Sequence, residues 1–382
     1  MTEVTGTALP CNDRLFLHLV RSAGALSKAE LTRASGLSAQ SATVIVNRLV
    51  RHGLLQPGKT VRGRVGQPST PYKLNPDSAT ALGIKVGRRS LEVVGMGFDY
   101  RILERVTHRY AFPNLTEVRG MIEDAITTVQ NRLRAPQRAH LTGIGLALPD
   151  QLADWEDAAD APKGAMADWR DADLRAEIAE RFALPVTSLN DVAAACLAEL
   201  ETGNPEGYDS IVYIYVGTFI GGGIAMGGRL FTGGGRAGAI GSMLGGGAQQ
   251  LIGTASLHQL EAHLTAAGLA REMLYGATPL DTAAQAIFAS WTEQAAQTIA
   301  VACVNAQALL HPQAIVIDSS LPAHLRDQLV TAVQAAASRL DTRGLAQMTI
   351  TPGTAGITAR ATGSGIAPFM ARFAVDPLAS GR

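Results

Sequence analysis

SKAELTRASGLSAQSATVIVNRLVR, residues 27–51, reads as two short helices joined by a tight turn. Ser27 and Glu30 stand in S-x-x-E spacing, where hydroxyl and carboxylate each satisfy a free backbone N–H at a helix start. Ser35-Gly36 ends that helix, and Ser38 caps the next. In the second helix Ala42, Ile45, Val46 and Leu49 recur at i, i+3, i+4 and i+7, the spacing of one buried face. Gln40, Ser41, Thr43, Asn47, Arg48 and Arg51 are left outside. Two helices, a glycine-containing turn and a polar outer face on the second helix predict a helix-turn-helix. A small helical bundle with a polar face is the plain alternative.

The outer face suits a major groove. Gln40 and Asn47 can pair bidentately with adenine, and Ser38, Ser41 and Thr43 can donate or accept at base edges. Arg48 and Arg51, a turn or more along, are expected on phosphates, which position a protein without reading sequence. Upstream, Asn12 is the expected cap of a first helix with Leu15, Phe16, Leu19 and Val20 on its inner stripe, ended by Gly24. Downstream, Leu54-Leu55 and Tyr72-Lys73-Leu74 flank a Gly/Arg-rich stretch and predict a β-hairpin wing with Arg62 and Arg64 at its tip. A basic linker is the other reading of that stretch. Under either reading the arginines suit phosphate or a narrow minor groove.

Charge distribution agrees. The 382-residue chain is neutral overall, but residues 1–75 carry ten basic and three acidic residues, a net +7. The remainder holds 23 basic and 30 acidic residues, a net −7. A basic module on an acidic body points to double-stranded DNA as partner. The length implies more than one domain. Cys11, Cys196 and Cys303 lack disulfide or metal spacing, so no metal or cofactor is expected from them. No apolar run reaches the roughly 18 residues that span a bilayer, and the first residues lack a signal-peptide pattern. A cytoplasmic protein without membrane contact is expected.

From about residue 80, apolar runs alternate with Ala-rich helical stretches. Ala81 to Ile84 and Leu91 to Gly97 predict a hairpin; Leu141 to Leu148, Ile211 to Val216 and Ala314 to Ile317 predict further strands; Thr282 to Leu310 predicts a long helix. This is an α/β pattern, with ligands expected near strand C-termini.

Within it Gly143-Ile144-Gly145-Leu146-Ala147-Leu148-Pro149, Trp169 with Leu174, Pro185 to Leu189 followed by Asn190-Asp191-Val192, and Tyr215-Val216-Gly217-Thr218-Phe219-Ile220-Gly221-Gly222-Gly223 follow one another in an order that resembles the ROK family of repressors, open reading frames and sugar kinases. The resemblance covers essentially the whole chain. It implies a winged helix-turn-helix over residues 1–78 and an actin-like, sugar-kinase-like ROK domain over 79–382. The lobes of that domain would be roughly 79–190 with the C-terminal helix, and 191–365. The repressor branch, resembling the xylose and N-acetylglucosamine repressors, carries such an N-terminal module.

The resemblance also shows where kinase chemistry is missing. Asp191 matches the family's general base. The phosphate-binding D-x-G-G-T turn is replaced by Lys85-Val86-Gly87-Arg88-Arg89, and the adenosine-side glycine pair by Asp318-Ser319-Ser320. The sugar-binding G-E-x-G-H segment reads Gly238-Ala239-Ile240-Gly241-Ser242, and the Cys-rich zinc motif is replaced by the stretch Gly245 to Gly253, which lacks cysteine. The family's Asn before the Trp is replaced near Ala165, and a second family acid aligns near His258. Asn190, Asp191, Asp150 and His258 remain as effector-binding residues, with helix capping the other reading of Asn190-Asp191. The implied function is repression of carbohydrate-related genes by a homodimer or tetramer. Its degenerate body would sense a sugar or sugar phosphate or serve only to dimerise. An ATP-dependent carbohydrate kinase with an accessory DNA-binding arm is the alternative.

Overall fold

The computed structural model describes residues 9–60, 69–156, 159–276 and 278–374. The N-terminal module comprises α1 (Cys11–Ala23), β1 (Leu26–Ser27), α2 (Lys28–Ser35), α3 (Ala39–Arg51), β2 (Leu55–Pro57) and β3 (Pro71–Leu74). The capping box of Ser27 and Glu30 forms, and Gly36 ends α2 in the left-handed region. Ser38 accepts from the Ser41 N–H at the start of α3. Ala42, Ile45, Val46 and Leu49 are all buried.

Asn12 does not cap α1. Pro10 precedes the helix, and its carbonyl accepts from the Asp13 and Arg14 N–H groups, so Asn12 falls inside the first turn, exposed. The buried stripe of α1 is Phe16, Leu17 and Val20, with Leu15 and Leu19 half-buried. The wing strands pair antiparallel, Leu55 opposite Leu74 and Pro57 opposite Tyr72, and β1 joins the free edge of β3.

The body contains two five-stranded sheets. The first takes β4 (Thr80–Val86), β5 (Ser90–Gly97), β6 (Ile102–Arg109), β7 (Leu141–Leu148) and β8 (Val186–Asn190) in the order β6-β5-β4-β7-β8. The second takes β9 (Ile211–Val216), β10 (Ile220–Met226), β11 (Arg229–Phe231), β12 (Ala314–Ser319) and β13 (Ile350–Pro352) in the order β11-β10-β9-β12-β13. In each sheet the first three strands are antiparallel and the last two parallel, so one unit occurs twice. The last predicted strand runs two residues further than Ile317, to Ser319, because pairing with β9 continues through Val216.

The body helices are α4 (Leu115–Arg132), α5 (Ala135–Ala139), α6 (Leu174–Phe182), α7 (Asp191–Thr202), α8 (Ile252–Ala255), α9 (Leu257–Ala266), α10 (Thr282–Leu310), α11 (Ala323–Ala337) and α12 (Ala359–Phe373). The last of these is the keystone. It packs between α7 and strands β4 and β7 at near-backbone contact. A Cβ on Gly363 would stand 1.7 Å from the Ala194 carbonyl oxygen, and one on Gly145 equally close to that of Ser364. Only glycine permits this approach.

The C-terminal half of α12 joins the two modules. Phe369 and Phe373 pack edge-on against Phe98, at centroid distances of 5.7 and 4.9 Å. These rings belong to one hydrophobic cluster with Phe16, Leu17, Leu31, Ile45 and Leu74 of the N-terminal module. Arg14 donates to the Ala374 carbonyl at 2.9 Å. Asn75, in the short connection from β3 to β4, donates to the backbone oxygens of Leu54 and Gly53. The N-terminal module is therefore seated on the body by a shared core.

Candidate nucleic-acid interface and ligand cleft

Helix α3 turns its polar side to solvent beside the wing. Gln40, Ser41, Asn47 and Arg51 are exposed, and Thr43 is half-buried. Val44 is 55% exposed and completes a stripe at Gln40, Val44, Asn47 and Arg51, four, seven and eleven residues along. Val44 escapes a search for polar residues, yet an apolar side chain on such a face matches a thymine methyl. Asn47 Oδ1 accepts from Lys28 Nζ at 2.9 Å, and that ammonium lies 5.7 Å from the Tyr72 ring of the wing. Thus α2, α3 and the wing are held in register. Ser38 and Ser41 hydroxyls bond each other at the helix start.

Arg48 has a different role from the one expected. Its Nε donates to Asp13 at 2.8 Å and a second guanidinium nitrogen pairs with the other carboxylate oxygen. The Asp13 side chain is wholly buried, and an unpaired buried carboxylate is costly. Arg48 therefore ties α3 to α1 and leaves the phosphate set. Arg62 and Arg64 lie outside the described residues. The wing base is closed by a Thr60–Thr70 hydroxyl contact at 3.0 Å.

A cleft of about 1570 Å³ opens between the two sheets where the C-terminal ends of β4, β7, β8, β9 and β12 converge. Asp150, Asn190 and Asp191 all line it. Asn190 caps α7: its Oδ1 accepts from the Val192 and Ala193 N–H groups, while its Nδ2 donates to Asp150 at 3.1 Å. Asp191 is buried and receives Arg360, from the start of α12, at 3.3 Å. The Arg360 guanidinium also lies 5.0 Å from the Tyr215 ring.

His258 is not among the residues lining the cleft; its N–H caps the Thr218 carbonyl instead. Glu261, nearly a turn further along α9, takes that place. It is buried, and accepts from Arg88 at 2.9 Å and from the Tyr275 hydroxyl at 2.6 Å. The clue was a carboxylate in the apolar repeat Leu257, Leu260, Leu264, where only a paired acid belongs.

The turn from β4 to β5 brings Arg88 and Arg89 to the cleft, beside Lys85 near the end of β4. Lys85 is buried, donates to the Ser90 hydroxyl at 3.1 Å, and is pulled down to about 7 by burial and then by the Arg360 charge. Arg88, Arg89 and Arg271 converge on the carboxylate of Asp160. Burial alone would raise that carboxyl, but the hydrogen bond from Arg271 and the neighbouring charges outweigh it and hold it below the usual range. In the second sheet, Tyr213 donates to the buried Asp318 at 2.9 Å and Tyr215 meets the Ser320 hydroxyl at 3.0 Å. The retained glycine turn packs tightly: a Cβ on Gly222 would meet Ile240 at 2.1 Å and one on Gly223 would meet Cys196 at 2.5 Å. Among the described residues no group of three or more His, Cys, Asp or Glu side chains is placed to hold a metal ion, and no helix is long and apolar enough to cross a membrane.

Comparison with known proteins adds the following. Residues 14–63 match the MarR family model. The uncharacterized protein y4fQ of Sinorhizobium fredii is 26% identical over 376 residues, covering 98% of this chain and 94% of that one. The xylose repressor of Bacillus subtilis is 25% identical over 227 residues, covering 58% of this chain and 57% of the repressor. A solved ROK family transcriptional regulator, a homologue of the E. coli MLC protein, superposes with a TM-score of 0.66 at 19% identity, covering 97% of this chain and 98% of that one. The shared fold is thus an N-terminal helix-turn-helix followed by the actin-like, sugar-kinase body. With residues 81–368 matching the family model from the first sheet into α12, the chain belongs to the ROK family.

Proposed function

We propose that this protein is a DNA-binding transcriptional regulator, a repressor of carbohydrate-related genes, whose kinase-like body binds a sugar-like effector and dimerises. The observation that carries the reading is the exposed stripe of α3 beside the wing, on a module seated in the same core as the body. Ser38, Gln40, Ser41, Thr43, Asn47 and Arg51, with Arg62 and Arg64 of the wing, are the proposed DNA contacts, and Val44 joins them. Residues 1–78 form the DNA-binding unit and 79–382 the effector unit, divided into the lobes given above. A homodimer follows from operator symmetry, since two-fold proteins place recognition helices about 34–36 Å apart. The relatives named as xylose repressors support a small sugar as the effector class. The protein acts where chromosomal DNA is, in the cytoplasm. Gel shifts of the full chain on fragments flanking its own gene test this: sequence-selective binding that Gln40→Ala weakens on the selected site alone is expected. Equal binding to random DNA would overturn it.

A second reading, a carbohydrate kinase, draws on Asp191, which stands in the cleft where a general base is needed. Its Arg360 partner, the cationic β4–β5 turn and the tyrosine–acid contact at Asp318 count against it. Sugar-dependent ADP release lost in Asp191→Asn would restore it.

A further inference from the structure

The convergence of three arginines on Asp160 is out of proportion to what that residue needs. Arg88, Arg89 and Arg271 all direct a donor at a single oxygen, Oδ2, with Arg271 at 2.8 Å and Arg88 at 3.1 Å. Each guanidinium carries five N–H donors in a planar fork built for two oxygens at once. Here each gives Asp160 one. The Arg88 side chain is only 8% exposed, and its Nε is buried with no hydrogen-bond partner. Asp160 itself is 49% exposed at its side chain and adopts a left-handed φ of 53°, a conformation Asp tolerates but does not prefer. The arginines are the built part of the arrangement and Asp160 the replaceable one. Arg88 is further held by Glu261, which Tyr275 also grips, so its position does not depend on Asp160.

All three arginines line the cleft that also holds Asp150, Asn190 and Asp191. We propose that Arg88, Arg89 and Arg271 bind the anionic group of a small polyol, a phosphate or carboxylate, and that Asp160 is the internal occupant which this group displaces. An oxyanion with two or three free oxygens can accept from the three guanidinium groups at separate oxygens, which the single Asp160 Oδ2 does not. The proposal rests on the reading of the cleft as the effector site and gives that effector a charge. It concerns binding only and involves no bond making or breaking.

Calorimetric titration of the full-length protein, without DNA, tests it. The probes are inorganic phosphate, glucose 6-phosphate, gluconate, glucose and xylose, with Trp155 fluorescence as a second readout because that ring lines the cleft. At least one anionic polyol should bind tenfold or more tightly than the neutral sugars. Glucose 6-phosphate over gluconate identifies the group as a phosphate, and the reverse order a carboxylate. Asp160→Asn should tighten the anion about tenfold, while Arg89→Ala and Arg271→Ala, at partly exposed positions, should weaken it by a similar factor. Neutral sugars binding as well as anions, no response to Asp160→Asn, or no binding of any anion to wild type and Asp160→Asn would each overturn the proposal. Gel shifts on the same preparation keep the regulator reading separate: selective DNA binding without anion binding sinks the anion site alone.

Discussion

The Arg21 guanidinium of α1 lies 4.1 Å from the centroid of the Tyr100 ring and donates to the Phe98 carbonyl at 3.1 Å. One side chain of the DNA-binding module thus grips the hairpin of the body's first sheet, against the rings that α12 brings up from below. A cation over a partly desolvated ring adds about 1–2 kcal/mol, and the carbonyl bond about 1 kcal/mol more. Arg21→Ala should lower stability by about 2 kcal/mol and make the junction near residues 75–79 more sensitive to limited proteolysis. Unchanged melting and unchanged cleavage would mean that the modules are held elsewhere.

Arg48 and Arg51 sit on one helix yet should behave oppositely. Arg48→Ala strands the buried Asp13 carboxylate. The cost should be about 2 kcal/mol, below the 3–5 of a fully buried pair because Arg48 is 35% exposed. Arg51→Ala should leave the melting temperature in place and reduce the salt slope of DNA binding by about one. Urea denaturation and salt-dependent gel shifts separate the two; an Arg48→Ala protein of full stability would return that residue to the phosphate set.

The glycine contacts of α12 are testable by a single methyl. Gly363→Ala presses a Cβ into the Ala194 backbone carbonyl and should destabilise by about 3 kcal/mol or more. Gly253→Ala, in a helix with nothing within 4 Å of the new atom, should be neutral or stabilising by about 0.5–1 kcal/mol. Comparable melting curves for the two variants would contradict the packing described.

Lys85 makes stability depend on pH. Burial, and then Arg360, lower its ammonium from 10.5 to about 7. Between those values the unfolded chain holds the proton and the folded chain does not, so stability rises with pH through that window. Below pH 7 the penalty is present in full. Lys85→Met should therefore be more stable than wild type at pH 6, by on the order of 2–3 kcal/mol, with the advantage shrinking towards pH 10. A difference that stays constant from pH 6 to 10 would show that the ammonium is not held in the protein interior.

What was legible followed local chemistry. The period of Ala42, Ile45, Val46 and Leu49 marked the buried face of α3, and the caps at Ser27 and Ser38 marked the starts of α2 and α3, because both signals act within one or two turns. Asn190 announced its cap for the same reason. The duplicated sheet order was invisible, since strands such as β6 and β13 are short or exposed and are selected by partners far away in sequence. The cleft arginines illustrate the limit best. Arg88 and Arg89 were visible as obstacles to a phosphate turn, but Arg271 and Asp160 come from segments with no pattern of their own, and only folding brings the four together. Arg48 misled because a buried acid at Asp13, thirty-five residues earlier, gives no periodic sign of its need for a partner.

During synthesis α3 emerges more than three hundred residues ahead of α12, the helix that completes its seat. The winged module has caps and a small core of its own and can form early. Until residues 359–373 emerge, however, Phe98 and Tyr100 lack the Phe369 and Phe373 rings that pack against them, and the module's hold on the body is incomplete. Chains stopped before α12 thus carry the winged module without the aromatic contacts that seat it, so the order of synthesis leaves α12 to fix the module in place.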